Sequence, residues 1–130
     1  MSEASLELLA PREDVWAFLA EPYHLADWWP GITGVEPDRR GFAHGARWKV
    51  HATKRNVFAG RRDVETMLLV REIDLYERWS WHLLAPKTDV EIRLRAAAPT
   101  RTFVTVTASS GVAAAAVKRL YDLVQTAATL

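Results

Sequence analysis

Apolar and polar side chains alternate most sharply between Asp89 and Arg95, where Val90, Ile92 and Leu94 interleave with Asp89, Glu91, Arg93 and Arg95. A period of two puts the apolar set on one face of a half-buried strand. The same period runs from Ala46 to Thr53, with Ala46, Trp48, Val50 and Ala52 opposite Arg47, Lys49, His51 and Thr53. It returns from Tyr76 to Leu84, where Trp79, Trp81 and Leu83 oppose Arg78, Ser80 and His82, and from Thr102 to Ser109, where Val104, Val106 and Ala108 oppose Phe103, Thr105 and Thr107. Arg62 to Ile73 reads as a longer strand with Val64, Thr66, Leu68 and Val70 on one parity. Met67 and Leu69 on the other parity leave its direction open. Ile32 to Glu36 and a weakly alternating Ala4 to Ala10 add shorter strands. Turns are expected at Arg39 to Gly45, which carries Gly41 and Gly45, and at Asn56 to Gly60.

Helical periodicity appears in three places. Pro11 suits the first turn of a helix, Glu13 and Asp14 follow where acidic groups are favoured, and Val15, Phe18 and Leu19 recur at three and four. A second short helix from Tyr23 to Trp29 follows Pro22, carries Leu25, Trp28 and Trp29 on one side, and stops at Pro30-Gly31. The third runs from Gly111 or Val112 to Ala128. Ala113, Ala116, Val117, Leu120, Leu123, Val124 and Ala127 form its apolar stripe, with Lys118, Asp122 and Gln125 opposite.

The predicted order is a strand, two short helices, about six strands in an antiparallel meander, and one long amphipathic helix. A sheet with one apolar face needs a cover, and the last helix is the element long enough to supply it. The expected fold is therefore α+β, one domain spanning residues 1–130, with a curved antiparallel sheet closed over the C-terminal helix.

Composition narrows the function classes. The 130 residues are 49% hydrophobic and 25% charged, with a net charge of +1. The short basic pairs, such as Arg39-Arg40 and Arg61-Arg62, are offset by sixteen acidic residues, so no nucleic-acid partner is expected. No apolar run reaches the roughly 20 residues that cross a bilayer, and Met1 to Leu6 does not read as a secretory leader. The absence of cysteine excludes disulfides, thiolate metal sites and a cysteine nucleophile, and suits a cytoplasmic location. Six tryptophans in so short a chain imply a heavily aromatic core or a cavity with aromatic walls. Large rings packed on the small residues Val112 to Ala116 would make a solid core.

The segment Pro11-Arg-Glu-Asp-Val-Trp-Ala-Phe-Leu-Ala-Glu-Pro-Tyr-His-Leu-Ala-Asp-Trp-Trp-Pro-Gly31 resembles the opening of the START-like, or SRPBCC, superfamily. That superfamily includes polyketide cyclases, ligand carriers of the birch-pollen-allergen type and activators of a heat-shock ATPase. Val70 to Trp81 resembles it less closely. The resemblance implies a helix-grip fold, in which a seven-stranded sheet grips the long helix. It also implies an internal cavity between the sheet, that helix and the two short helices. The short Ser109-Ser110-Gly111 link and the modest helix length suggest a compact member with a modest cavity.

Candidate chemistry is sparse. A cyclase would need a general acid or base within reach of a bound polyketone. His82 shares its parity with Arg78 and Ser80 and is expected to face solvent, as is His51 opposite Trp48 and Val50. His24 and His44 fall in a short helix and a turn. Tyr76 and Tyr121 read as edge phenols, and Arg119, at the margin of the helix stripe, either reaches a pocket mouth or is a solvated helix residue; a cyclase reading is favoured if His82 or Arg119 points inward. No metal site is expected, no cofactor is implied, and nucleophile-elbow, phosphate-loop and dinucleotide motifs are lacking. The leading expectation is a binder of a small hydrophobic or aromatic molecule, lipid or polyketide-like. Its expected lining is Trp48, Val50, Thr66, Leu68, Trp79, Trp81, Leu83, Val106, Ala116 and Leu120. Burying about 200–300 Å² of apolar ligand surface gives roughly 5–8 kcal/mol before association costs, hence millimolar to micromolar affinity. A cyclase or aromatase-type enzyme and a co-chaperone-like interaction module are the alternatives.

Overall fold

The computed structural model describes residues 1–56, 60–85 and 87–129, and their side chains other than those of 54–56, 60–62 and 126–129. The expected turn at Asn56 to Gly60 and the side chain of Ala127 therefore lie outside the described residues. Seven strands form one sheet: β1 (Ser2–Leu8), β2 (Ile32–Glu36), β3 (Arg47–Asn56), β4 (Gly60–Asp74), β5 (Arg78–Leu83), β6 (Thr88–Ala98) and β7 (Arg101–Ala108). Their order across the sheet is β1-β7-β6-β5-β4-β3-β2, with antiparallel pairing throughout. The six strands β2 to β7 are the expected meander, and β1 returns to the far edge beside β7.

Between β1 and β2 lie α1 (Arg12–Leu19), a 3₁₀ turn (Pro22–His24) and α2 (Leu25–Trp28). Pro11 caps α1 from an extended conformation, and its carbonyl accepts from the Asp14 and Val15 amides. Thr102, fully buried in β7, donates its hydroxyl to the Ala10 carbonyl at 2.8 Å and pins this crossover to the sheet. The last helix, α3 (Ala113–Thr129), follows β7 after a short turn. Ser2 Oγ on β1 donates to the Ser110 carbonyl and accepts from the Ala113 amide, fixing the start of α3 against the edge strand.

The parity of β4 is settled by its burial: Thr66, Leu68 and Val70 are buried and face inward, whereas Met67 and Leu69 are half-buried on the outside. A register shift between Val70 and Glu72 then reverses the alternation. Beyond it Ile73 pairs with Trp79 and packs on the core, while Glu72 and Asp74 join Arg78 on the outer face. An extra residue in one strand does this by re-aiming every side chain that follows.

The backbone neighbours of α3 are chiefly β1, β7 and α2. The helix therefore covers one side of the concave face. Trp29 at the end of α2 packs on Trp81 of β5, and Phe42 of the β2–β3 loop packs on Trp48 and Trp79. Ala113, Ala116 and Val117 of α3 are buried in the same cluster as these tryptophan rings.

Candidate functional site: an aromatic-walled interior

A string of rings runs through the interior. Tyr76 meets Trp16 edge-on at 6.2 Å, and Trp16 meets Phe42 at 5.6 Å. Phe42 lies 5.0 Å from Trp79, which lies 5.8 Å from Trp48 and 6.0 Å from Trp81. Trp81 meets Trp29 at 4.8 Å, and Trp29 meets Trp28 at 5.5 Å. Edge-to-face and tilted geometries place ring edges against ring faces, each contact adding about 0.5–1.5 kcal/mol beyond burial. All six tryptophans are buried. Local sequence explains the arrangement: alternation puts Trp79 and Trp81 on the same face of β5, and the β3–β4 register sets Trp48 opposite Leu68.

The ten residues predicted to line a site, Trp48, Val50, Thr66, Leu68, Trp79, Trp81, Leu83, Val106, Ala116 and Leu120, are all buried, and the nine apolar ones belong to one core cluster. Thr66 bonds to a neighbouring segment, its Oγ1 accepting from the Ala85 amide at 2.9 Å. An apolar cleft of about 300 Å³ opens between α1 and α3 and is lined by none of the ten. Its walls include Pro11, Val15, Phe18, Leu123 and Val124. The signal for it was present in the one-sided stripe of α1 and the far end of the α3 stripe, which line the cleft from its two sides.

The histidine and arginine candidates fall outside this interior. His82 keeps the outward parity expected of it but does not face solvent: it is 8% exposed, with Nδ1 2.7 Å from Asp89 Oδ1. Register explains the burial, because Leu69 and Asp89 flank it on either side. His51 Nε2 lies 2.8 Å from Glu36, whose carboxyl is held below its usual range by that bond and by the nearby Lys49. His24 donates from Nδ1 to the Phe18 carbonyl and stacks on the Phe18 ring. Arg119 is exposed on α3, and Tyr76 is half-buried with a φ of +63°. Among the described residues, no three His, Asp or Glu side chains are grouped to hold a metal ion.

A larger cleft, about 660 Å³, opens at the outer face and is lined by Arg12, Asp74, Glu77, Arg78, Arg93 and Arg95 among others. Several of its charges are paired, whereas the Nε of Arg12 is buried with no hydrogen-bond partner among the described residues. Arg78 bonds Asp74, Glu91 and Glu72, and the first two of these hold its guanidinium pKa above the ordinary value. Arg93 pairs with Glu91 as well. No helix among the described residues is long and apolar enough to cross a membrane.

A seven-stranded antiparallel sheet with two short helices after its first strand and a long C-terminal helix on its concave face is the START-like, helix-grip fold. Within that superfamily the chain belongs to the family described as Activator of Hsp90 ATPase homolog 1-like protein, whose profile matches residues 9–127. Solved structures with the same fold include DR_A0006 from Deinococcus radiodurans, 15% identical with a TM-score of 0.70 over 96% of this chain and 94% of that one. The di-domain ARO/CYC StfQ from the steffimycin biosynthetic pathway is 15% identical with a TM-score of 0.73, over 99% of this chain and 46% of StfQ. A point mutant of norcoclaurine synthase from Thalictrum flavum, in complex with a transition state analogue, is 15% identical with a TM-score of 0.70, over 98% and 94%. No curated protein matches the chain by sequence.

Proposed function

We propose that this protein binds a small, largely apolar ligand, lipid or polyketide-like, in the interior between the sheet and α3. The reading rests on one observation above all, the continuous wall of aromatic rings on the concave face. Trp48, Trp79 and Trp81 are its floor, and Val50, Thr66, Leu68, Leu83, Val106, Ala116 and Leu120 surround them. The cleft between α1 and α3 is the opening. Its floor residues Val15 and Val124 belong to the same buried cluster as the tryptophans. Ligand-binding clefts are concave and mostly apolar, with few polar groups, and this interior fits that description. Support also comes from the fold shared with an ARO/CYC protein and with norcoclaurine synthase. Binding without turnover is the form of the proposal, because His82 and Arg119, the groups on which a cyclase reading leaned, lie on the outer face of the sheet and on exposed helix surface.

The test is a titration of the intrinsic tryptophan emission with fatty acids, sterols, flavonoids and aromatic polyketides. Saturable quenching by one class, abolished by a blocking substitution in the α1–α3 cleft, supports the proposal. Unchanged emission with every class, together with no small molecule released on denaturation, overturns it. The family description favours a second reading, a co-chaperone module acting on Hsp90. Stimulation of Hsp90 ATPase turnover by the purified protein would support that reading instead.

A further inference from the structure

Trp79 and Trp81 each bury an indole Nε1–H that has no hydrogen-bond partner among the described residues. Both side chains are 1% exposed, so bulk water does not serve them. Trp48 shows what the same fold does when it satisfies such a group: its Nε1–H, beside Trp79, donates to the Gly41 carbonyl at 2.7 Å. Buried tryptophan N–H groups usually find an acceptor, and a buried donor without one calls for an explanation. Two such donors stand on one face of one strand, two residues apart, with ring centroids separated by 6.0 Å.

The rest of the interior sharpens the chemistry. Among the described residues the buried polar ones are Thr66, His82, Thr88 and Thr102, and no lysine or arginine is with them. Thr66 Oγ1 already accepts a backbone bond, Thr102 is spent on Ala10, and His82 lies on the outer face. Among the described residues the ring wall therefore holds unspent neutral donors and no lysine or arginine; Arg12, whose Nε is also buried and unpartnered, lines the separate outer cleft. A carboxylate or phosphate there would be a buried charge without a counter-charge, which is costly. A neutral sp² oxygen can accept from an indole N–H without that penalty, and a planar ring bearing it matches the surrounding aromatic faces.

We propose that the indole N–H pair of Trp79 and Trp81 is the polar anchor of the internal site, and that its ligand is a neutral aromatic carbonyl compound, a ketone or quinone. This deepens the binding proposal above and rests on it. A ligand oxygen that takes up either N–H restores a missing hydrogen bond, and one such bond corresponds to about a fivefold to tenfold gain in affinity.

The experiment compares 2-acetylnaphthalene with 2-isopropenylnaphthalene, the same planar shape with CH₂ in place of the carbonyl oxygen. Each is titrated by equilibrium dialysis into the wild type, Trp79→Phe and Trp81→Phe. The ketone-to-alkene affinity ratio is expected to fall about fivefold to tenfold in at least one variant, whatever the change in alkene affinity. Dividing the two affinities cancels the effect of the lost ring volume. In the wild type, ¹⁵N-resolved indole resonances give a readout that does not depend on the variants folding. Two buried Nε1–H signals should shift with the ketone and stay in place with the alkene. Binding of both probes with an unchanged ratio, or with identical indole shifts, overturns the carbonyl anchor and leaves apolar binding standing. Failure of both probes to bind the wild type overturns the aromatic-carbonyl ligand, while the apolar-binding proposal stands or falls by the titration with all four ligand classes.

Discussion

The Nε1–H of Trp48, in the middle of the concave face, donates to the backbone carbonyl of Gly41 at 2.7 Å, joining the sheet floor to the β2–β3 loop that carries Phe42. Trp48→Phe removes the donor and part of the ring. A stability loss of about 1–3 kcal/mol is expected in urea unfolding, from one hydrogen bond and the volume left unfilled. Amide exchange in residues 38–46 should quicken beyond what the global change accounts for, because the loop loses its tie to the floor. Exchange that follows global stability alone would refute the role assigned to this bond.

The same loop depends on two left-handed glycines, Gly41 at φ +60° and Gly45 at φ +81°. A Cβ at Gly41 meets nothing within 4 Å, so Gly41→Ala isolates the backbone penalty, expected at about 1 kcal/mol. Gly41→Asn should cost less, since asparagine tolerates this region. At Gly45 a Cβ would stand 2.9 Å from Arg40 Nη1, the movable end of a long side chain. Gly45→Ala is therefore predicted to cost about the same as Gly41→Ala by thermal unfolding, and a much larger loss would contradict this account.

Asp38 organises the loop from its other end, accepting from the Arg40, Gly41 and Arg47 amides. The Arg47 bond, with smaller help from Arg40 and Gly41, holds its carboxyl below the usual aspartate range. A depressed folded value means the stabilisation is fully present above the unfolded value of about 3.9 and is lost as pH falls through the lower folded value. The stability difference between wild type and Asp38→Ala should therefore be constant from pH 8 to 6 and shrink steadily below about pH 4. A difference that shrinks on the alkaline side would reverse the sign.

Much of this arrangement was legible in the chain, and its gaps have physical causes. Strict alternation at Trp79-Ser-Trp81 and at Val90, Ile92 and Leu94 announced inward faces because the pleat leaves no other choice. The β4 reversal was hidden, since a bulge at Val70 to Glu72 is set by pairing with β5 and by the bonds between Val70 and the Gly45–Ala46 backbone. His82 misled for a related reason: parity reports the face of a strand, while burial depends on what flanks it. The sheet's need for a cover announced α3, while its alanine-rich stripe left open which strands it would lie nearest. Ser2, more than a hundred residues away in the chain, selects the β1 edge.

The α1–α3 cleft supplies a last prediction, one that separates ligand entry from folding. Leu123 is half-buried at its wall, whereas Lys118, ion-paired with Asp122, is exposed elsewhere on α3 and does not line it. Leu123→Lys leaves the buried Val124 and Leu120 in place, and its long stem can carry the charge out to water, so a stability loss of about 1 kcal/mol or less is expected. A charge at the rim of an apolar opening should nevertheless weaken an apolar ligand by about fivefold to tenfold, whereas Lys118→Ala should leave affinity unchanged. Fluorescence titration of the three proteins with one ligand of the class identified above decides the matter. Equal affinity in all three would move the opening away from the α1–α3 cleft, to the side closed by Phe42, where Phe42→Ala would then be the variant that speeds ligand entry.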